Sequence, residues 1–420
     1  MEENTGVVTE YGADIKRLPL SQLLKRIGPG LVATGIVIGP GAVTTAAMLG
    51  ADYGYALIWL IIPIIFMGIT FMMTTNRLAI TTGMPTIHAI RTYYGKLASY
   101  VVGIAVFLSC LFFTMGNISG TGAGMNLIFG IDWKIGSLVM IAVVLYCYFA
   151  KNVYSKVEKI ITLCILVMIL SFYITLIGTG GPDWFSFGKG LVSLQVPEGS
   201  LSTALAFIST NASVTAGIYA TYLGKEKKWN KDDLFNGVMF TDALVHVISV
   251  VLISSSIILV GAIVLHPQGL SIKTPAQLAE LLVPIMGSAA RYIMGLALLG
   301  AGFSSLLANT QRGMVLLGAG LDKSVALESK FIRIGCLICL LFAMCVCYSF
   351  NGSPTQLIFL ANIATSIATP VGGLFVLLLL WREDVNKGYK KPTVLRICMT
   401  ISYIFALIMT ASGLYTILFK

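Results

Sequence analysis

ATGIVIGPGAVTTAAMLG, residues 33–50, is apolar enough to enter a bilayer, yet Gly39, Pro40 and Gly41 stand in its middle. Proline removes a backbone donor and crowds the preceding turn, and flanking glycines loosen the backbone. Residues 39–41 are therefore expected to be unwound or sharply kinked. A peptide group freed at membrane depth is tolerated only where protein or a water-filled cavity satisfies it. A plain kink is one explanation; a second interruption argues for more. LSTALAFISTNASVTAGIYATYL, residues 201–223, carries the weak helix formers Ser209, Thr210, Asn211 and Ser213 at its centre. Interruptions at corresponding places in two halves of a membrane chain point to a midplane binding site. These two segments correspond if helices one to five and six to ten form two inverted repeats.

Working outward, the 420 residues are 57% hydrophobic and 11% charged, with a mean hydropathy of +0.88. That composition is of an integral membrane protein. A bilayer core of about 30 Å takes roughly 20 apolar residues per helical crossing. Runs of that kind lie near 28–50, 54–76, 98–129, 135–150, 156–178, 201–223, 236–265, 287–318, 332–350, 355–381 and 394–418, so an all-α protein of 11 transmembrane helices is expected. Met1 to Ser21 is polar and acidic where a cleavable leader requires an apolar stretch. Residues 1–23 read as a mobile polar cytoplasmic tail with an amphipathic entry to helix one, and 24–420 as one membrane domain.

With the N-terminus in the cytoplasm, only five of the 28 basic residues, Lys134, Lys189, Lys273, Arg291 and Lys420, fall on the outer side. This satisfies the positive-inside rule and places the C-terminus outside. It also accounts for the net charge of +10 through anionic lipid headgroups, without a nucleic-acid partner. The eight cysteines all lie in expected spans. The pair Cys336 and Cys339 has no second pair or neighbouring histidine, so it reads as packing material and not a metal site. No GxxxxGK[ST], HExxH or nucleophile–base cluster is present, and neither enzymatic chemistry nor a cofactor is expected.

RIGPGLVATGIVIGPGAVTTAAMLGADYGYALIWLI, from Arg26, resembles the first two helices of the NRAMP (natural resistance-associated macrophage protein) metal-ion transporters, and LALLGAGFSSLLANTQRGMVLLG, 296–318, resembles their eighth. The resemblance runs over roughly 24–418. It implies the leucine-transporter fold: repeat one at about 28–178, repeat two at about 201–381, helix eleven at about 394–418, and alternating access around broken helices 1 and 6. It also implies a cell membrane location, expected to be prokaryotic, and a monomer is the expected state. The family's first break reads Asp-Pro-Gly-Asn; here Gly39, Pro40, Gly41 and Ala42 stand there, and both side-chain ligands are gone. The family's Met-Pro-His of helix six aligns with Ser213, Val214 and Thr215, and its acidic proton-pathway residues of helix three with Thr114 and Asn117.

The residues themselves say the same. Of the 18 acidic residues, only Asp242 and Glu158 fall within membrane depth. A dehydrated divalent ion needs carboxylates, or nitrogen and sulfur donors for softer metals. No metal ligand is therefore assigned. Two substrates remain open. One is a divalent cation that keeps part of its hydration shell, magnesium-like, held by Thr44, Thr45, Thr210, Asn211, Ser213 and backbone carbonyls, without carboxylate-based proton coupling. The other is a small anion or zwitterion such as bicarbonate, a carboxylate or an amino acid, held by the helix N-termini that follow the breaks. Ser209 belongs to the same group, and Asn362, with Thr365, can face the site from helix ten.

Asp242 and His246, four apart, share a helix face and form the candidate ion or proton pathway with Thr114 and Asn117. The plainer expectation for Asp242 is a contact with a lysine of the loop KEKKWNKDD. His88 and His266 are expected in solvent, Arg312 to extend to the headgroups, and Trp59, Trp184, Trp229 and Trp381 to anchor span ends.

Overall fold

The computed structural model describes residues 11–12, 14–150, 152–272, 277, 287–350 and 354–419. Among the described residues the regular structure is helical, apart from one bridge between Tyr11 and Tyr389. α1 (Leu20–Arg26) leads into α2 (Pro29–Val37) and α3 (Pro40–Tyr53), which meet at 62°. α4 (Ile61–Thr82), α5 (Thr86–Phe129), α6 (Trp133–Phe149) and α7 (Val153–Gly178) follow, then the short α8 (Trp184–Ser193). α9 (Leu201–Asn211) and α10 (Val214–Glu226) flank the second interruption without a sharp bend. α11 (Val238–Val260), α12 (Ala289–Gly320), α13 (Lys330–Ser349), α14 (Pro354–Trp381), the single turn α15 (Glu383–Asn386) and α16 (Thr393–Phe419) complete the chain.

Each apolar run of the sequence falls on one of these helices or helix pairs. Among the described residues eight are long and apolar enough to cross a membrane, nine if the bent pair α2–α3 counts as one span, and α6 and Ile367–Trp381 are apolar but shorter. α5, at 44 residues, is two helices joined at Gly95, whose φ of 87° only glycine adopts freely. The outer face of α7 carries Leu163, Leu166, Leu170, Ile174 and Ile177, all exposed and spaced three or four apart. An apolar stripe of this kind, turned outward, faces lipid.

Two backbone-to-backbone joints fix the interior. Along α5 and α12, a Cβ on Gly302 would lie 2.3 Å from the Thr121 hydroxyl, one on Gly124 2.7 Å from the Leu299 nitrogen, and one on Gly313 2.9 Å from Cys110 Cβ. A Cβ on Gly103 would lie 2.9 Å from Gly320 Cα. Between α3 and α11, a Cβ on Gly50 would lie 2.0 Å from the Ile258 carbonyl oxygen and one on Gly261 2.6 Å from that of Ala47. Gly261 opens a π turn, Gly261–Leu265. Small residues let membrane helices approach this closely.

Most of the ion pairs gather at the end of the bundle where α1 enters. Arg26 meets Asp233, Lys227 meets Glu158 and Arg396 meets Glu383 there. The polar segment before α1 is tied to this end from Tyr11 on. Its amide donates to Gly388, its hydroxyl bonds Asp232, and the Leu18 amide donates to Asn236. At the opposite end α8 exposes Trp184, Phe185 and Val192, while its Gly190 sits against Tyr55. Trp381 is likewise exposed, whereas Trp59 and Trp229 donate their indole N–H to Gln195 and Arg26 carbonyls.

Replacing Gly50 by Val forces α3 and α11 apart and is expected to cost about 1–3 kcal/mol. Gly188→Ala in α8, where a Cβ meets nothing within 4 Å, is the matched neutral change. Thermal unfolding in detergent should separate the two.

Candidate functional site

The first interruption is narrower than the sequence suggests, and it lies one residue earlier. Ile38 (φ −91°, ψ 89°) and Gly39 (φ −118°, ψ 178°) leave the helix, whereas Pro40, Gly41 and Ala42 already belong to α3. The sharp kink expected at 39–41 is present, at 62°, and only the extent of the unwinding is corrected, for a physical reason. Proline's fixed φ suits the first helical residue, where its missing N–H is not needed, so Pro40 starts a helix and does not break one.

The cost of the missing donor falls on α2. The Ile36 carbonyl would accept from residue 40, which has no N–H. Instead Asn309 Nδ2 of α12 donates to it at 2.9 Å, and the Ser305 hydroxyl approaches at 3.4 Å. Asn309 also donates to the Ser305 oxygen at 2.8 Å, as does Asn117 Nδ2 of α5 at 2.9 Å. Gly39 is required because a Cβ there would lie 2.7 Å from Asn117 Oδ1 and 2.8 Å from Ser305 Oγ. Pro40 itself packs on Gly120. The hydroxyls of Thr44 and Thr45 donate back to the Pro40 and Gly41 carbonyls, both at 2.8 Å.

At the second interruption Ala212 (φ −119°, ψ 70°) and Ser213 (φ −99°, ψ 116°) are non-helical. Ser209 and Thr210 lie in the last turn of α9 and donate to the Ala206 carbonyl. Asn211 is buried, donates to Phe207 and accepts from Ser254 of α11 at 3.0 Å. Ser213 and Thr215 share a hydrogen bond of 2.7 Å. Arg312 does not extend to the headgroups; it is 2% exposed and donates to Thr215 Oγ1 at 3.3 Å and to Cys110 Sγ at 3.0 Å.

The half-helices pair crosswise. α2 packs against α10, and α3 against α9, so the two interruptions come to the same depth. α5 and α12 close the site from the side, with Thr114 donating to Cys110 and near Thr310 at 3.4 Å. The side chain of Asn362 lies outside the described residues; Thr365 bonds Ser109 at 2.9 Å.

Asp242 is buried, and the hydrogen bonds of its carboxylate go neither to a lysine of the loop nor to His246. Its carboxylate accepts the Gly28 amide at 2.8 Å and the Gly30 amide at 2.7 Å, capping α2. Lys227 of the loop lies beside Gly28, but the direct hydrogen bonds come from backbone donors, because an N-terminal helix turn offers unpaired N–H groups to a carboxylate. His246 Nδ1 bonds the Thr34 hydroxyl at 3.0 Å. Gly28 and Gly30 admit this approach; a Cβ on Gly28 would meet Glu158 and Lys227 at 2.4 Å, and one on Gly30 the Asp242 carbonyl oxygen at 2.3 Å. His88 is half-buried against the Tyr222 hydroxyl, and the exposed His266 bonds the Ala51 carbonyl.

Around the two interruptions the donor set is hydroxyl, carboxamide, carbonyl and one guanidinium. Among the described residues no three His, Cys, Asp or Glu side chains gather as a metal site. Cys336 and Cys339 point to the Thr310 carbonyl and the Met314 sulfur. Sequence reading did not find Ser305 and Asn309, or place Arg312 in the site. Their spacing of four and seven puts them on one face of α12, which was the available signal.

Residues 30–418 match the model of a family described as natural resistance-associated macrophage protein-like. The divalent metal cation transporter MntH of Brucella suis is 27% identical over 312 residues, spanning 71% of this chain and 68% of that protein. The crystal structure of the Eremococcus coleocola manganese transporter, in complex with an aromatic bis-isothiourea compound, superposes with a TM-score of 0.78 at 18% identity over 96% of this chain and 90% of that one. MhsT in complex with L-phenylalanine superposes with a TM-score of 0.60 at 16% identity, covering 93% and 98%. At these identities the superpositions establish the leucine-transporter-type fold.

Two substitutions test the carbonyl arrangement at the first break. Asn309→Ala leaves the Ile36 carbonyl without its partner and is expected to cost about 1–3 kcal/mol. Pro40→Ala returns an N–H to the position that faces it, so the double variant should lose less than the sum, with a coupling of about 1 kcal/mol in denaturation experiments. Asp242→Ala is expected to cost about 0.5–2 kcal/mol and to raise the protease or thiol-reagent accessibility of the α1–α2 segment.

Proposed function

Because this chain belongs to the natural resistance-associated macrophage protein family, we propose that it is a secondary transporter that moves a small ionic solute by alternating access. The family is one of transporters, not enzymes. The observation that carries the mechanism is the crosswise pairing of α2 with α10 and α3 with α9 around two interruptions at one depth. Each break exposes peptide groups that a solute can use, and each divides a helix into halves able to move separately. In this reading the chain has eleven spans in two inverted repeats plus a last helix. Its N-terminus lies in the cytoplasm, on the side where the basic residues gather, and the membrane is the plasma membrane.

The relatives' names support a divalent cation as the solute. Since the hydroxyls and carbonyls at the breaks replace carboxylates, the cation would keep part of its hydration shell and bind weakly, and no buried carboxylate there would couple protons. A second reading is favoured by Arg312 and by the helix starts at Pro40 and Val214, whose positive ends suit a small anion or zwitterion.

Uptake into proteoliposomes decides between them. Magnesium, calcium and manganese are compared with bicarbonate and small carboxylates, with and without an imposed pH gradient. Protein-dependent divalent entry that ignores the gradient supports the first reading, and anion entry without metal flux supports the second. Absence of any protein-dependent flux would refute transport.

A further inference from the structure

We propose that Arg312 forms the floor of an oxyanion subsite at the second helix break, and that it holds a small planar oxyanion, a carboxylate or bicarbonate. The inference gives a ligand class to the site proposed above and rests on that reading only for its location.

Arg312 is 2% exposed, on the face of α12 that also carries Ser305 and Asn309. It lies eight residues inside the helix end at Gly320, and it reaches Thr215, the second residue of α10, beside the break. Among the described residues five ion pairs form, and Arg312 belongs to none. Its two acceptors, a threonine hydroxyl and a cysteine sulfur, are neutral groups at 3.3 and 3.0 Å. They occupy Nη1 and Nε. The guanidinium has five N–H bonds, and its remaining donors have no partner among the described residues.

A charge placed at membrane depth is strongly disfavoured unless it is paired. Half-buried Arg333 at the start of α13 also lacks a carboxylate, donating to the Ala150 carbonyl at 3.3 Å with its Nε unpartnered, but three other cations are answered within the protein. Arg77 is held by Asn386 and the Lys390 carbonyl, Arg396 by Glu383 and the Leu380 carbonyl, and Lys227 by Glu158. Arg312 has neither a carboxylate nor a cluster of carbonyls. The missing partner is therefore a ligand, and its sign is negative. Its shape follows from the planar fork of the guanidinium, which matches the two oxygens of a carboxylate or bicarbonate. The start of α10 adds a second element. Its first amides and positive dipole end lie at Val214 and Thr215, with the Ser213 hydroxyl 2.7 Å from that of Thr215. An anion lodged there would be held by donors from both α10 and α12.

The test reads binding and transport separately. Purified full-length protein in nanodiscs is titrated with sodium bicarbonate, acetate or chloride at constant ionic strength, and the thermal midpoint is recorded. Bicarbonate or acetate should raise it saturably and chloride should not. Arg312→Gln should weaken that response at least tenfold while its unliganded midpoint equals or exceeds the wild type, because an unpaired buried charge has been removed. Arg312→Lys, which keeps the charge and loses the fork, should retain a weaker response. A midpoint that no oxyanion shifts, an oxyanion response unchanged in Arg312→Gln, or an equal response to chloride overturns the proposal. In proteoliposomes, labelled bicarbonate or acetate entering without metal makes the oxyanion the cargo. Divalent flux that needs the oxyanion in wild type but not in Arg312→Gln makes it a co-ligand. Saturable binding without any flux would sink the transport reading and leave the subsite standing.

Discussion

The fold hangs on a single unmet obligation: the carbonyl of Ile36, which sits at membrane depth and faces a proline with no hydrogen to give. Lipid offers no donor there, so protein or a water-filled cavity must supply one. Asn309 does so, and Ser305, Asn117 and Gly39 are arranged around that contact. The break in the first helix is therefore not a loose place. It is a short turn between two helices whose Ile36 carbonyl is held by α12.

The two ends of α2 are held differently. At its C-terminal end the hold comes from a neutral carboxamide; at its N-terminal end it comes from the carboxylate of Asp242, with Arg26 paired to Asp233 just before it. A nine-residue helix has little stability of its own in isolation. α2 is thus defined by α11, α12 and the loop before α11, and a change in any of them is felt along its whole length.

The interrupted helices, the apolar runs and the family were legible in the chain because each is written as a local pattern: Gly39-Pro40-Gly41, the polar centre from Ser209 to Ser213, the glycines of α12. What local pattern could not give was the partner. Pro40 read alone is a breaker; only with Gly120 against its ring and Asn309 on the carbonyl behind it does it become a first helical residue. Asp242 read alone looks toward the nearest lysines, since nothing in the sequence announces that Gly28 and Gly30, more than two hundred residues away, bring their amides to it. Arg312 near a helix end suggests escape to the headgroups, and its burial against Thr215 is decided by which face of α12 meets α5 and α10.

The glycines that set α5 against α12 work like the wards of a lock. At each crossing a missing side chain on one helix receives the backbone or a side chain of the other: Gly302 takes Thr121, Gly124 takes Leu299, Gly313 takes Cys110, and Gly103 and Gly320 take each other. If either helix slid by one turn, filled positions would arrive where empty ones are needed, at several levels at once. These two helices are therefore keyed to a single register and can only move as one piece. In the alternating-access reading they are the stator, and the rearrangement that carries a solute past them falls to the half-helices they hold.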